Sequence, residues 1–190
     1  MSPTPDEQML PAAFAVATAG DAVAIAALVN AAYRPTSGRI GWTHERDLVG
    51  GPRIKAAQVV DAISQPDSVL LVASVTTGIA ACVHLQKRGE VCLLGLLAVD
   101  PGLQGAGIGK RMLGQAEQFA VDTWGCTTIR ISVLSQRAEL LAYYRRRGYR
   151  PTGTVTDYPR AQGVGLPIVE GLTVDTLDKP MPSGPRTGCP

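Results

Sequence analysis

Leu96-Leu97-Ala98-Val99-Asp100-Pro101-Gly102-Leu103-Gln104-Gly105-Ala106-Gly107-Ile108-Gly109-Lys110 decides how this 190-residue chain is read. An apolar run is stopped by Asp-Pro-Gly, and three glycines alternate where a helical stripe begins (Ile108, Met112, Ala116, Phe119, Ala120). A strand therefore passes through a Gly-rich turn into a helix, expected over about Gly107 to Thr123. The first amides of a helix have no intrahelical acceptor and sit at the positive end of its dipole. Gly105, Gly107 and Gly109 carry no Cβ, so an anion can approach the backbone closely. Together these features make a phosphate site, to which Lys110 adds a charge and in which Gln104 orders the loop.

Three Gly-rich patterns compete for this segment. A Walker A loop needs Ser or Thr after Gly-Lys, and Arg111 stands there; Gln104 occupies the place of its first Gly. The dinucleotide fingerprint needs G-x-G-x-x-G, whereas Gly109 follows Gly107 one residue too early. The pattern Gln/Arg-x-x-Gly-x-Gly/Ala is met in full by Gln104, Gly107 and Gly109.

Working outward, strands are expected at Phe14–Ala17, Ser68–Val75, Gly78–Gln86 and Val91–Val99, then at Thr127–Leu134, Tyr149–Thr156 and Ile168–Leu177. Helices are expected from Asp21, as N-cap, to Tyr33, from about Arg53 to Ser64, and from Arg137 to Arg147. Arg34–Gly51 and Asp157–Pro167 read as loops. Strands in succession followed by β-α-β imply an α+β fold of three layers, α/β/α. Its sheet is mixed, mostly antiparallel and twisted, of about six or seven strands, with helices on both faces. Val91–Leu134 is expected to form a right-handed parallel crossover. Residues 1–12 read as a flexible leader, 13–179 as one domain, and 180–190 as a flexible Pro/Gly-rich tail.

An apolar fraction of 45% supports a full core, and 18% charged residues argue against disorder. A net charge of +2 gives no electrostatic footprint for nucleic acid; the cluster Arg145, Arg146, Arg147 and Arg150 reads as a solvated helix end rather than an RNA-binding module. The four cysteines show no CxxC pair, so no metal is expected and reduced thiols are. No apolar run approaches the roughly 20 residues that span a bilayer, and no signal-peptide pattern opens the chain. No membrane partner and a cytoplasmic location are the expectations.

The Gln104–Gly109 pattern resembles the acetyl-CoA-binding motif of the GNAT superfamily of N-acetyltransferases, and the order of elements resembles that superfamily over roughly residues 13–180. A second stretch, Leu141-Ala142-Tyr143-Tyr144-Arg145-Arg146-Arg147-Gly148-Tyr149, is similar to the family's late helix, which ends Tyr-x-x-x-Gly-Phe/Tyr. The resemblance implies an acyltransferase moving an acetyl group from acetyl-CoA, its co-substrate, to a primary amine by direct attack in a ternary complex. It implies a gap beside the strand before the glycine loop, where Leu97, Ala98 and Val99 meet the pantetheine arm. It implies that the amides of Gly105, Ala106, Gly107, Ile108, Gly109 and Lys110 hold the pyrophosphate. A backbone N–H near Leu97 or Ala98 would face the developing oxyanion. Tyr144 falls on the position of the general acid that protonates the departing thiolate. Glu90, at the start of the splayed strand, and His84, on its neighbour, are the candidate bases. One position departs from the pattern: Arg137 stands where the family often has Asn, and is assigned to a CoA phosphate or an acidic substrate. Trp42 and His44 either line a groove or pin the early loop.

The acceptor expected is a small amine or amino acid, in a groove formed by Tyr33–Glu45 and Asp157–Pro167. A protein N-terminus or lysine, or a non-catalytic acyl-CoA sensor on the same fold, are the alternatives, and a homodimer is left open by the habits of the family.

Overall fold

The computed structural model describes residues 13–36, 38–160 and 163–182. Seven strands form one sheet in the order β1-β3-β4-β5-β6-β9-β7: β1 Ala13–Val16, β3 Ser68–Val75, β4 Gly78–Arg88, β5 Val91–Val99, β6 Thr128–Leu134, β9 Thr173–Pro180 and β7 Arg150–Asp157. All neighbours are antiparallel except β5 and β6, which are parallel and joined through helix α3, Ile108–Trp124. A two-residue ribbon, β2 Val49–Gly50 with β8 Leu166–Pro167, lies apart from the sheet. Helices α1 Ala22–Tyr33 and α2 Ala56–Ser64 cover one face; α3 covers the other, together with α4, Ala138–Arg145. The expected mixed sheet with helices on both faces is what forms.

Boundaries shift where long-range partners intervene. Asp21 is the N-cap residue of α1, as expected, but its side chain does not bond forward into the helix. Its carboxylate accepts from the Thr18 N–H (2.8 Å) and hydroxyl (2.9 Å), closing a 3-10 turn over Ala19–Asp21 before α1 starts at Ala22. Helix α2 starts at Ala56 rather than Arg53, because Asn30 of α1 holds the preceding backbone extended: its Oδ1 accepts from the Arg53 and Ile54 amides, and its Nδ2 donates to the Ile54 carbonyl. The last strand begins at Thr173 rather than Ile168, since Leu166–Pro167 pairs with β2 and Gly171, at φ +65°, turns the chain. It also runs into the expected tail: Pro180 pairs with Thr128, and the Met181 amide donates to the Thr127 carbonyl. Residues 1–12 and 183–190, expected as leader and tail, lie outside the described residues.

One irregularity positions the site. Cys82 of β4 pairs with Ala98 of β5, but His84 pairs with Gly95, so Leu96 and Leu97 together oppose the single residue Val83. This is a β-bulge, and Leu96 takes its left-handed backbone at φ +50°. An extra residue reverses the alternation of faces. Cys92 and Leu94 pack into the core beneath α3, whereas Leu96 and Ala98 pack beneath α1, leaving Leu97 and Val99 on the α3 side. Burial pushes the thiols of Cys82 and Cys92 up to about 12, so both are inert core residues.

Candidate acetyl-transfer site

Strand β5 leaves its parallel neighbour just before the bulge. The pairing runs from Val91–Thr128 to Leu94–Ile131 and stops, so the halves Gly95–Val99 and Ser132–Leu134 diverge. Asp100 donates to the Ala80 carbonyl at 2.8 Å. By antiparallel alternation, Ala98 then turns its backbone groups to β4, and Leu97 and Val99 turn theirs to the open gap. Two contacts fit this: the Tyr33 hydroxyl donates to the Leu97 carbonyl (3.0 Å), and the Gln104 amide donates to the Val99 carbonyl (3.3 Å). The Leu97 and Val99 N–H groups are thereby left facing the gap.

The glycine loop continues from the end of β5. Asp100 closes the first turn, accepting from the Gly102 amide on its side chain (2.7 Å) and from Leu103 on its carbonyl (2.8 Å). Gly105 and Gly107 hold φ of +96° and +78°, backbone that L side chains adopt only at a cost. Gly107 is the N-cap of α3, and the first helical bond back is from Arg111 to its carbonyl. The amides of Gly107, Ile108, Gly109 and Lys110 therefore have no helical acceptor. A Cβ on Gly105 or Gly107 would meet nothing within 4 Å. The first turn of α3 has no acidic residue and two cations at its positive dipole end, an arrangement that an anion relieves.

The loop bounds a cavity of about 240 Å³ whose other walls are Trp42, Thr43, Leu97, Val99, Leu140, Tyr143, Tyr144 and Arg147. The wall from α4 is fixed by the way that helix ends. Tyr149 N–H bonds to the Tyr144 carbonyl and Gly148 N–H to that of Arg145, with Gly148 at φ +88°, a Schellman termination. This returns Tyr149 into the core against Tyr144 (5.5 Å between ring centres), where its hydroxyl donates to Glu117 of α3. Tyr144 in turn meets Tyr143 (5.3 Å), and Tyr143 meets Trp42 (5.5 Å), so four aromatic rings form a row across the cavity. The Arg147 guanidinium lies 3.4 Å from the Tyr143 ring centre and donates to the Tyr143 carbonyl.

Tyr144 is buried, and among the described residues its hydroxyl has no hydrogen-bond partner. Burial, then the neighbouring Tyr33 and Tyr143, holds its pKa well above 10. It also lines a second cavity, of about 360 Å³, on the far side of the gap. Leu97, Leu140 and Tyr144 belong to both cavities. The second is walled by Tyr33, Glu45, Arg53, the diverging part of β6, and Thr156–Pro159. Glu45 is neutralised there by a buried ion pair with Arg34.

A sequence profile described as Acetyltransferase (GNAT) family matches residues 26–149. The chain belongs to the GNAT acetyltransferase family. Among curated relatives, a blasticidin-S acetyltransferase from Streptomyces morookaense is 38% identical over 64 residues, 34% of this chain and 46% of that enzyme, so the chain spans about half of the relative's length. Solved GNAT structures share the fold at low identity. The ribosomal-protein-S18-alanine N-acetyltransferase of Escherichia coli has a TM-score of 0.66 at 15% identity, over 93% of this chain and 98% of that one. A GNAT family acetyltransferase from Elizabethkingia anophelis, with acetyl-CoA bound, has a TM-score of 0.65 at 17% identity, over 89% and 97%. At those identities the likeness shows the fold alone. No helix among the described residues is long and apolar enough to cross a membrane.

Of the residues expected in this GNAT site, the structure gathers Leu97, Val99, Gln104, Gly105, Gly107, Ile108, Gly109, Lys110 and Tyr144 around one cavity. Ala98 faces β4 and the α1-side core, and Ala106 is exposed on the loop. Glu90 is a correction. It immediately precedes β5 on the exposed Gly89-Glu90 turn, at the paired end of the strand and seven residues from Leu97. At about 3.3 Å per residue it is roughly 20 Å from Leu97. His84 donates from Nε2 to Ser68, whose own hydroxyl proton goes to the Ala62 carbonyl, and burial lowers its pKa. It lines a recess that adjoins the second cavity, sharing Arg53, Gly95, Leu96 and Val164 with it, but is not itself among the residues lining that cavity.

Arg137 is the second correction. It is 5% exposed, and its guanidinium is occupied: it donates to the carbonyls of Trp42, Thr43 and His44 and to Glu139. No donor fork is left for a phosphate. Arg137 instead straps residues 42–44 over the glycine loop, where Gln104 meets them by accepting from the Trp42 amide and donating to the Thr43 hydroxyl. A Cβ on Gly41 would lie 2.5 Å from that Gln104 amide. Arg137→Ala is expected to lower the melting temperature by roughly 5–10 °C, from about 3 kcal/mol of lost charged hydrogen bonds. Arg137→Lys should not restore it, because three carbonyls need the planar fork. A melting curve within 1 °C of wild type for Arg137→Ala would refute the strap.

Trp42, Thr43, Leu140, Tyr143 and Arg147 also line the cavity; Trp42 and Thr43 reach it through contacts with Gln104 and the α4 segment about 60 to 100 residues along the chain. The sequence left Trp42 undecided and read Arg147 as solvated. The one available signal was position, since Arg147 lies one turn after Tyr143 on the same helix face.

Proposed function

We propose that this chain transfers an acetyl group from acetyl-CoA to a primary amine, with both substrates bound at once. The observation that carries the proposal is the meeting of two cavities at Leu97 and Tyr144, one of them floored by the glycine cradle at the start of α3. Acetyl-CoA supplies the activated acyl group as a thioester. The amides of Gly107–Lys110 bind its pyrophosphate, with Lys110 and Arg147 as nearby cations. The Val99 N–H pairs with the arm lying in the gap, as an added strand would. The Leu97 N–H faces the acyl oxygen and steadies the negative charge that grows there. Tyr33, bonded to the Leu97 carbonyl, holds the following peptide, Leu97–Ala98, and so restrains the Leu97 backbone from its far side.

The amine enters through the second cavity and loses its proton to water there, since Glu45 is held by Arg34 and Glu90 is remote. Its nitrogen bonds to the acyl carbon as the carbon–sulfur bond breaks, and releases its second proton to water to leave the amide. Tyr144, kept protonated by burial, gives its proton to the leaving sulfur and regains one from solvent. The likeness to blasticidin-S acetyltransferase favours a second reading of the acceptor, an antibiotic amine.

The first test is ligand-induced stabilisation of the purified protein. Acetyl-CoA at a hundredfold excess over Kd is expected to stabilise it by about 2.7 kcal/mol, raising the melting temperature, while ATP and NAD leave it unchanged. No shift with acetyl-CoA would overturn the proposal.

A further inference from the structure

We propose that Arg53 is the carboxylate receptor of the acceptor cavity, and that the amine acetylated belongs to a molecule with one carboxylate, an amino acid in the broad sense. This rests on the acetyl-transfer reading above and deepens it. Arg53 is the one Lys or Arg among the described residues that line the second cavity. Its guanidinium makes no hydrogen bond or ion pair with any described residue, so its fork of five donors is free. The two carboxylates of the same cavity leave it so. Glu45 is taken by Arg34, and Asp157, exposed on β7, does not reach it.

The position of Arg53 is built. Asn30 clamps the backbone of residues 53 and 54 to α1 through three hydrogen bonds, which fixes where the side chain begins. The guanidinium then lies over the Tyr33 ring, 5.7 Å from its centre. The hydroxyl of that same ring bonds to the Leu97 carbonyl. The cation is therefore one aromatic ring away from Leu97, the residue whose N–H faces the acyl group. A carboxylate paired bidentately with Arg53 would orient an amino group on the same small molecule toward Leu97 and Tyr144. Asp157 on the rim opposes a second carboxylate, which limits the acceptor to one.

The test measures CoA release with two matched panels: the common α-amino acids with glycine, β-alanine and 4-aminobutyrate, and the amides of the same compounds. Wild type is expected to show kcat/KM for at least one acid about 100-fold above that for its amide, the penalty for leaving a built polar site unpaired. Arg53→Met should lower kcat/KM for that acid about 100-fold and erase the preference, with the KM for acetyl-CoA changed less than threefold. Arg53→Lys should recover part of the preference. Equal use of acids and amides, or no turnover with any acid, would overturn the assignment of Arg53 while the acetyl-CoA melting shift leaves the acetyl-transfer reading standing. So would an Arg53→Met variant that loses acetyl-CoA affinity as strongly as acid affinity, which would mark a structural residue. Loss of the acetyl-CoA shift in wild type would overturn both readings together.

Discussion

Gly107→Asn is expected to weaken acetyl-CoA binding about 100-fold and leave the fold intact. Gly107 sits at φ +78° as the N-cap of α3, and a side chain there would start in open space on the cavity wall. Asn is among the L residues that accept the left-handed region most cheaply, so little stability is expected to be lost. The damage falls on the ligand, whose phosphate needs to touch the amides that the new side chain now shields. A 100-fold weaker Kd, probed at a hundredfold excess over the wild-type value, leaves only about 0.4 kcal/mol of stabilisation from the original 2.7 or so. The measurement is a pair of melting curves, with and without acetyl-CoA. An apo curve close to wild type with the ligand shift gone supports the cradle. A wild-type ligand shift in Gly107→Asn would remove the glycine loop as the phosphate site.

The glycine loop was legible because everything it needs is local. Three alternating glycines, a strand stop and a helix stripe lie within about 20 residues, and the chemistry follows from unpaired amides. The sheet was legible for a similar reason, since Ser68–Val99 is a run of strands separated by tight turns. The bulge was not. Leu96 and Leu97 read as two more apolar residues in Val91–Val99, and nothing in that run marks where β5 opposes one residue with two. It is nevertheless the bulge that swings Leu97 and Val99 to the α3 side and ends the pairing with β6. Arg137 failed for the opposite reason. Its spacing from Tyr144 put it in the family's CoA-contacting place, but its partners are Glu139 and the carbonyls of residues 42–44. Only the folded chain brings that loop over α4. The short pair β2–β8 and the Asn30 clamp belong to the same class, because each joins segments more than 20 residues apart through one or two polar groups that carry no periodicity. Glu90 was placed correctly along its strand and wrongly in its role, since the open end of a strand lies where pairing stops, and sequence does not show that.

Tyr144→Phe is expected to cut kcat by 10²–10⁴-fold, the usual range for one proton donor in the transition state, with acetyl-CoA affinity changed less than threefold. The ring should stay where it is. Tyr144 is packed between Tyr143 and Tyr149, and its hydroxyl supports no hydrogen bond among the described residues, so Phe keeps the packing and removes only the proton. That separation makes the variant informative, since binding and chemistry load different atoms of one side chain. The pH profile adds a second reading. An acid works in its protonated form, and burial raises the Tyr144 pKa well above 10. Wild-type turnover should therefore not fall through deprotonation of this group as pH rises from 7 to 10; the ascending limb instead reports the amine losing its proton. In Tyr144→Phe the same ascending limb should persist at a lower plateau, because the amine still titrates while the sulfur leaves without its donor. An unchanged kcat would strip Tyr144 of the acid role and leave the thiolate, with a pKa near 8.5 as in free thiols, to depart unaided. A collapse of acetyl-CoA affinity along with kcat would instead trace the loss to the aromatic row from Trp42 to Tyr149, and the hydroxyl would then have been holding the cavity's shape.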